Sequence, residues 1–214
     1  MRSVIARLQS LQCSASRIQG AFVAISRVIC WLAFGLAFST SASAQVSSHG
    51  VTAVYTRIDD VRAYKTGLCR TTKSWGEDIQ PVVVQSCPRG PNGWPVTMFS
   101  ADARVSVWFG RQAQNGTTIS AALESGFGDP HSVIEWRLAE GRPFAAIHRY
   151  FFDDRQVLTI HRLQPDGTSC VAAVIPVRRD HDANREASEI ADAIGPSFRC
   201  GRDKLAVIGR LASQ

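Results

Sequence analysis

The sequence predicts an α+β domain with a mainly antiparallel β-sheet, one C-terminal helix and disulfide bridges that staple the chain. The first observation is the stretch from Ser132 to Arg162, which reads as three strands joined by short turns, a meander. The second is a single well-patterned helix at 180–194. The third is a set of four cysteines that follows the apolar start of the chain.

The first 44 residues predict a signal peptide. Arg17 and Arg27 precede an apolar run, Val28 to Phe38, and small residues follow up to Ala44. The segment Ala42-Ser43-Ala44 has the form of a cleavage site. The apolar run has 11 residues, too few for a helix that spans a bilayer. An uncleaved amphipathic anchor is the alternative.

Cleavage after residue 44 predicts one β-rich exported domain, 45–214, located in the periplasm or secreted, with no stable membrane span. The formal net charge of +6 depends largely on the start of the chain, since residues 1–44 carry four arginines and no acidic residue. From residue 45 onward, 20 basic and 18 acidic side chains remain. This near-neutral balance gives no electrostatic footprint for nucleic acid, so no nucleic-acid partner is expected.

Cysteine has a different meaning in an exported chain. Two of the six cysteines lie in the signal segment, and the other four are Cys69, Cys87, Cys170 and Cys200. An even number in an oxidising compartment predicts two disulfides, for which three connectivities are possible. We favour Cys69–Cys87 and Cys170–Cys200, because each pair brackets one local unit. No CxxC-like spacing for a metal is present.

Strands in the first half of the domain are predicted from β-branched residues and alternation at 51–55, 81–87, 94–100 and 104–109. The segment 88–93 (PRGPNG) predicts a turn or loop. The segment 58–72 is polar. Within 110–128, residues 119–123 suit either a strand or a helical turn, and the Gly- and Pro-rich segment 126–130 is expected to break regular structure.

The meander is predicted at 132–138, 144–152 and 157–162. Ile134, Trp136 and Leu138 share one face of the first strand, with Glu135 and Arg137 on the other face as an expected ion pair. The two turns are Glu140-Gly141 and Asp154-Arg155.

The rest of the chain predicts a turn at 164–167, a strand at 169–177, the helix at 180–194 and a short strand at 205–211. Ala183, Ala187 and Ala191 lie on the apolar stripe of the helix, and Asp180 or Asp182 is expected to cap its start.

Histidines offer the one candidate metal site. If Asp154-Arg155 is a two-residue loop, His148 lies opposite His161, about 5 Å apart at Cβ. Two imidazoles there could share a metal ion, with His131 as a third ligand. The alternative is a pair of partly exposed histidines on a sheet.

No catalytic residues are predicted. The chain has no G-x-S-x-G motif, no P-loop and no dinucleotide fingerprint. Binding residues are expected instead in the loops 73–79 and 88–95, at Trp75, Arg89 and Trp94, because tryptophan is enriched in binding hot spots. The alternative for a loop tryptophan is that it covers the core.

A resemblance adds to these patterns. IEWRL, AEG and RPFAAIHRY stand in succession, followed by a cysteine-bearing strand, a D-A-N-x-x-A helix start and F-x-C-G-x-D. The chain thereby resembles a family of exported alphaproteobacterial proteins without an assigned function, most specifically at Ile134–Tyr150 and Asp182–Asp203. The resemblance covers Val51 to Gly209. It implies an envelope or secreted location and brings no site residues.

The expected function is therefore an exported, non-enzymatic binding or interaction protein of the bacterial cell envelope, with another envelope protein as partner and no cofactor. One alternative is a periplasmic metal-binding protein or hydrolase that uses the histidines. Another is an inhibitor of a secreted hydrolase such as lysozyme, with Arg89 or Trp94 in the inserted loop.

Overall fold

A computed structural model describes residues 50–61, 67–76, 81–102, 104–123 and 128–207. The predicted signal peptide and the end of the last predicted strand lie outside these residues. The elements are β1 (Val51–Arg57), β2 (Arg70–Trp75), β3 (Val82–Ser86), β4 (Val96–Ala101), β5 (Arg104–Phe109), β6 (Arg111–Gln112), α1 (Ile119–Ala122), β7 (Asp129–Ala139), β8 (Arg142–Phe151), β9 (Gln156–Leu163), β10 (Thr168–Pro176), α2 (Ala183–Ile194) and β11 (Ala206–Val207).

The strands form two sheets. The large sheet has the order β1-β7-β8-β9-β10-β11, with β6 also paired to β10, and the small sheet has the order β2-β3-β4-β5. Pairing is antiparallel except where β10 meets β6 and β11. The predicted fold class is confirmed, and the predicted meander is β7-β8-β9.

The inner faces of the two sheets pack against each other. Ile134, Trp136 and Leu138 point inward from β7, as their alternation predicted, and meet Phe109 and its neighbours from the small sheet. The Trp136 and Phe109 rings meet edge to face at 5.5 Å. The hydroxyl of Tyr150 accepts a hydrogen bond from a backbone N–H of β5 at 3.1 Å. This bond links the large sheet to the small one through the core.

Helix α2 covers the outer face of the large sheet. Its alanine stripe, Ala183, Ala187 and Ala191, is buried, which lets the helix approach the strands closely. The carboxylate of Asp182 caps the first turn by accepting from the N–H of Arg185 at 3.2 Å. The helix therefore begins two residues later than Asp180 would have placed it.

Ion pairs fix the helix to the sheet. Arg137 donates to both carboxylate oxygens of Asp192 at 2.8 and 2.6 Å and to Glu135 at 3.1 Å. The predicted Glu135–Arg137 pair is confirmed. Ser188 of α2 also donates to Glu135 at 2.9 Å. Two carboxylates and one guanidinium are thus held together at the boundary between helix and strand.

Both favoured disulfides are present, Cys69–Cys87 and Cys170–Cys200. The first joins the start of β2 to the end of β3, and the second joins β10 to the segment after α2. Among the described residues, no helix is long and apolar enough to cross a membrane.

Several predicted elements need correction. β2 occupies positions expected to be polar coil or loop, and its six residues are all exposed, so no alternation marked it. β7 begins at Asp129, where a break was expected. Residues 119–122 are helical, which settles the open alternative there. The Glu140-Gly141 turn is confirmed, with positive φ of 50° and 74° at its two residues.

Candidate functional site

The outer face of the small sheet carries exposed aromatic rings. Alternation along β4 and β5 buries Met98, Val107 and Phe109, which leaves Phe99 and Trp108 pointing outward. The Phe99 and Trp108 rings stack at 5.1 Å with an angle of 12° between their planes. Trp108 nevertheless stays 41% exposed. The two stacked rings therefore form a flat surface that is partly open to solvent.

Trp75 extends the same face at the edge strand. It is the last residue of β2, is 51% exposed and pairs with Val82 of β3. One ladder row crosses the whole sheet as Lys73, Val84, Phe99 and Ser106. The residues that point outward from the four strands are here named the aromatic face. It consists of Lys73, Trp75, Val82, Val84, Phe99, Arg104, Ser106 and Trp108.

The strands of the small sheet carry basic side chains and no acidic ones. Strands β2 to β5 contain Arg70, Lys73 and Arg104 and no acidic residue. Asp102 lies in the turn between β4 and β5. Exposed aromatic groups flanked by cations suit a partner with apolar groups and negative charge.

Only one member of the aromatic face was singled out from the sequence. Trp75 was predicted as a loop residue, and the structure places it in a strand. Trp108 was missed, although its alternation with Val107 and Phe109 already put it on the solvent side of β5. A tryptophan among polar neighbours on a half-buried strand was the available signal.

The other two predicted binding residues lie in the connection between β3 and β4. Trp94 is partly buried and packs on the core between the sheets, so it covers the core, as the alternative reading held. Arg89 is exposed, and its guanidinium donates to the carbonyl of Gly93 at 3.0 Å.

The predicted histidine register is wrong. His148 lies opposite Thr159, and His161 lies opposite Ala146. The turn after β8 spans four residues, closed by a hydrogen bond from the N–H of Phe152 to the carbonyl of Arg155. The prediction assumed a two-residue loop, so the observed pairing of the two strands is offset by two positions from the predicted pairing. An offset of two keeps both imidazoles on the inner face, but as diagonal neighbours.

Both histidines are buried rather than exposed, at 0% for His148 and 3% for His161. Nε2–H of His148 donates to the carbonyl of His131 at 2.7 Å. The hydroxyl of Thr159 donates to the carbonyl of His148 at 3.1 Å, so it accepts from Nε2–H of His161 at 3.1 Å. This network fixes both rings as neutral Nε2–H tautomers.

Burial keeps the imidazoles of His148 and His161 neutral. It lowers the pKa of His148 to about 4. Burial, with the neighbouring His148 second, lowers the pKa of His161 to about 3. The His131 ring is half-exposed at a bulge of β7 and packs edge to face against Phe151. The described residues contain no group of three histidine, cysteine or acidic side chains that could hold a metal ion.

Comparison of the chain with models of protein families, with curated proteins and with solved structures found no match. The resemblance to exported proteins therefore stays a prediction.

Proposed function

We propose that the protein is an exported, non-enzymatic binding protein that captures an acidic partner protein of the cell envelope on the aromatic face. The observation that carries the proposal is the pair of exposed tryptophans, Trp75 and Trp108, on one open sheet face. Exposed apolar patches of this kind mark interaction surfaces in soluble domains.

The chemistry of the face supports a protein partner. Stacking against Phe99 holds the Trp108 ring in place, so little side-chain freedom is left to lose on binding. Tryptophan and arginine dominate the binding energy of protein interfaces. Lys73 lies on this face, and the four strands contain no acidic residue, which favours an acidic surface on the partner.

Export is supported by the predicted signal segment and by the cysteines. Two disulfides suit an oxidising compartment, such as the periplasm or the exterior of the cell.

The two alternatives find less support in the described geometry. The hydrolase and metal-binding readings depend on surface histidines, and His148 and His161 are buried. The inhibitor reading depends on an inserted loop, and Trp94 of that loop packs on the core.

A photo-crosslinking experiment tests the proposal. The full chain is expressed in its host with a photoreactive residue at Ser106, which lies opposite Phe99 on the aromatic face, and in a control with one at Ala193, exposed on α2. The expected result is a crosslink from position 106 to one acidic envelope protein, and no such product from position 193.

Binding of that purified partner then measures the contribution of each ring. Because hot-spot truncations cost about 2 kcal/mol or more, Trp108→Ala and Trp75→Ala should each weaken binding by about 30-fold. Tyr55→Ala, which removes an exposed aromatic ring from the large sheet, is the matched control. An affinity unchanged by both tryptophan variants, or crosslinks to polysaccharide or nucleic acid alone, would overturn the proposal.

A further inference from the structure

A groove of about 290 Å³ opens on the outer face of the large sheet, beside the first turn of α2. We call it the Arg149 groove. Its walls come from β1, β7, β8, β9 and α2, and its residues are Tyr55, His131, Val133, Glu135, Ile147, Arg149, Leu158 and Asn184. It shares no residue with the aromatic face, and the two sites are independent.

Arg149 is a half-buried cation whose partners among the described residues are neutral. Its guanidinium donates to the amide oxygen of Gln156 at 2.7 Å and to that of Asn184 at 2.8 Å. Within the described part of the chain, no carboxylate makes an ion pair with it. Arg137, on the same face, shows the contrast, since two carboxylates surround it.

Partial burial of this charge has a free-energy cost that a counterion would offset. Arginine keeps its proton under all ordinary conditions, so the cost of burying its charge cannot be avoided by loss of the proton. The pKa of Arg149 is lowered by burial. Two of its five N–H groups are used, and the remaining ones can take an anion in the bidentate geometry that a planar carboxylate offers.

The other charged groups of the groove are accounted for. Glu135 pairs with Arg137, which also pairs with Asp192, and it accepts a hydrogen bond from the Ser188 hydroxyl. Burial, followed by the charge of Arg149, lowers the pKa of His131, and the charge of Asp60 partly opposes this shift. Among the described residues, Arg149 is therefore the cation of the groove that has no carboxylate partner.

Next to this charge the groove is apolar. Ile147 and Leu158 are buried and form its floor, with Val133 beside them. The Tyr55 ring stands exposed at the rim. Pockets for small ligands combine an apolar lining with a few placed polar groups in this way, and 290 Å³ is at the small end of their range.

We propose that the Arg149 groove binds a small organic carboxylate. The carboxylate pairs with the guanidinium of Arg149, and a short apolar body lies on Ile147 and Leu158. An inorganic anion would satisfy the charge and leave the apolar floor uncovered, so the apolar body should add affinity.

The proposal is tested by titrating the purified protein with acetate, butyrate, benzoate and inorganic phosphate at constant ionic strength. Binding is monitored through the chemical shifts of the backbone amides. Butyrate and benzoate should bind more tightly than acetate and phosphate, and should shift amides of β8 and the first turn of α2. Phosphate binding as tightly as benzoate, or no binding of any carboxylate, would overturn the proposal.

Asn184→Asp is the sharpest variant. It replaces the side-chain amide NH₂ by an oxygen, and so puts a carboxylate at the position that already contacts the Arg149 guanidinium. An acid in the first turn of a helix is favourable, so the fold should be retained. Because the new carboxylate competes for the guanidinium, benzoate binding should weaken at least 10-fold.

Arg149→Met removes the charge and keeps the aliphatic stem, and should weaken benzoate binding by about 10- to 100-fold, as expected for a charge-assisted hydrogen-bonded pair. Arg185→Met is the control, because Arg185 is an exposed arginine of the same helix turn that pairs with Glu189. Benzoate affinity unchanged in both Asn184→Asp and Arg149→Met would refute the assignment.

Discussion

Acid should destabilise this protein through its two buried histidines. His148 and His161 are neutral in the folded state, with pKa values of about 4 and about 3. In the unfolded chain both imidazoles titrate at about 6.5. As the pH falls below this value, the unfolded state binds protons that the folded state does not bind. Stability is therefore complete above pH 6.5 and is lost as the pH falls toward 4 and then 3.

The size of the loss follows from the shifts. Each pKa unit corresponds to about 1.4 kcal/mol, so each buried histidine should add a slope of about 1.4 kcal/mol per pH unit below pH 6. At pH 5 the two together should remove about 4 kcal/mol relative to neutral pH. Because the free energy of unfolding of a domain is about 5–15 kcal/mol, this loss is a large fraction of its stability.

The groups around the two imidazole rings offer no negative charge that would stabilise their protonated forms in the folded state. His161 meets the ring of Phe109 at 4.7 Å, and His148 meets those of Phe109 and Tyr150 at 6.1 and 5.1 Å. Burial raises the pKa of Tyr150, so its phenol stays neutral too. Among the described side chains, none that contacts either imidazole carries a negative charge that could stabilise an imidazolium.

Urea unfolding from pH 7.5 to 4.5 measures the effect in the parent protein and in His148→Gln, His161→Gln and the double variant. Glutamine keeps an N–H donor near the Nε2 position and does not titrate. Each single variant should lose about half of the histidine contribution to the slope, and the double variant all of it. His181→Gln controls for loss of a surface imidazole. A double variant with the same pH slope as the parent would refute the reasoning.

Three further predictions concern stability. Tyr150→Phe leaves the buried β5 N–H without its acceptor and should cost about 1–3 kcal/mol in the free energy of unfolding, measured in urea. A Cβ at Gly90 would overlap the Trp136 indole, so Gly90→Ala should cost about 1–3 kcal/mol, and an unchanged melting temperature would contradict this packing. Replacing Cys170 and Cys200 together by serine opens a bridge with a sequence separation of 30 and should cost about 3.5 kcal/mol, checked by calorimetry against the parent with both disulfides intact.

Alternation predicted the strands that bury one face. Ile134, Trp136 and Leu138 had to share a side of β7, because burying them together removes the most apolar surface from water. The same rule could not find β2, whose residues are all exposed and carry no apolar period. The helix was predictable because its alanine stripe repeats at helical spacing and Asp182 can cap it.

The two sites required information that sequence spacing does not hold. Arg149 and Asn184 are 35 positions apart and meet only because α2 packs on the face to which Arg149 points. The histidine register failed on a turn that is longer by two residues than assumed. Turn length sets register in a hairpin, and an error of two preserves the face of each side chain while it changes every neighbour.

Strand β8 places two basic side chains next to each other with opposite consequences. His148 points into the core, where it releases its proton and becomes a hydrogen-bonded neutral ring. Arg149 points outward and cannot release its proton, so its charge must meet a counterion or solvent. The histidine is therefore explained by packing alone, whereas the arginine is explained by the groove it lines. That difference is the physical reason to seek ligand binding at Arg149 rather than at the histidines.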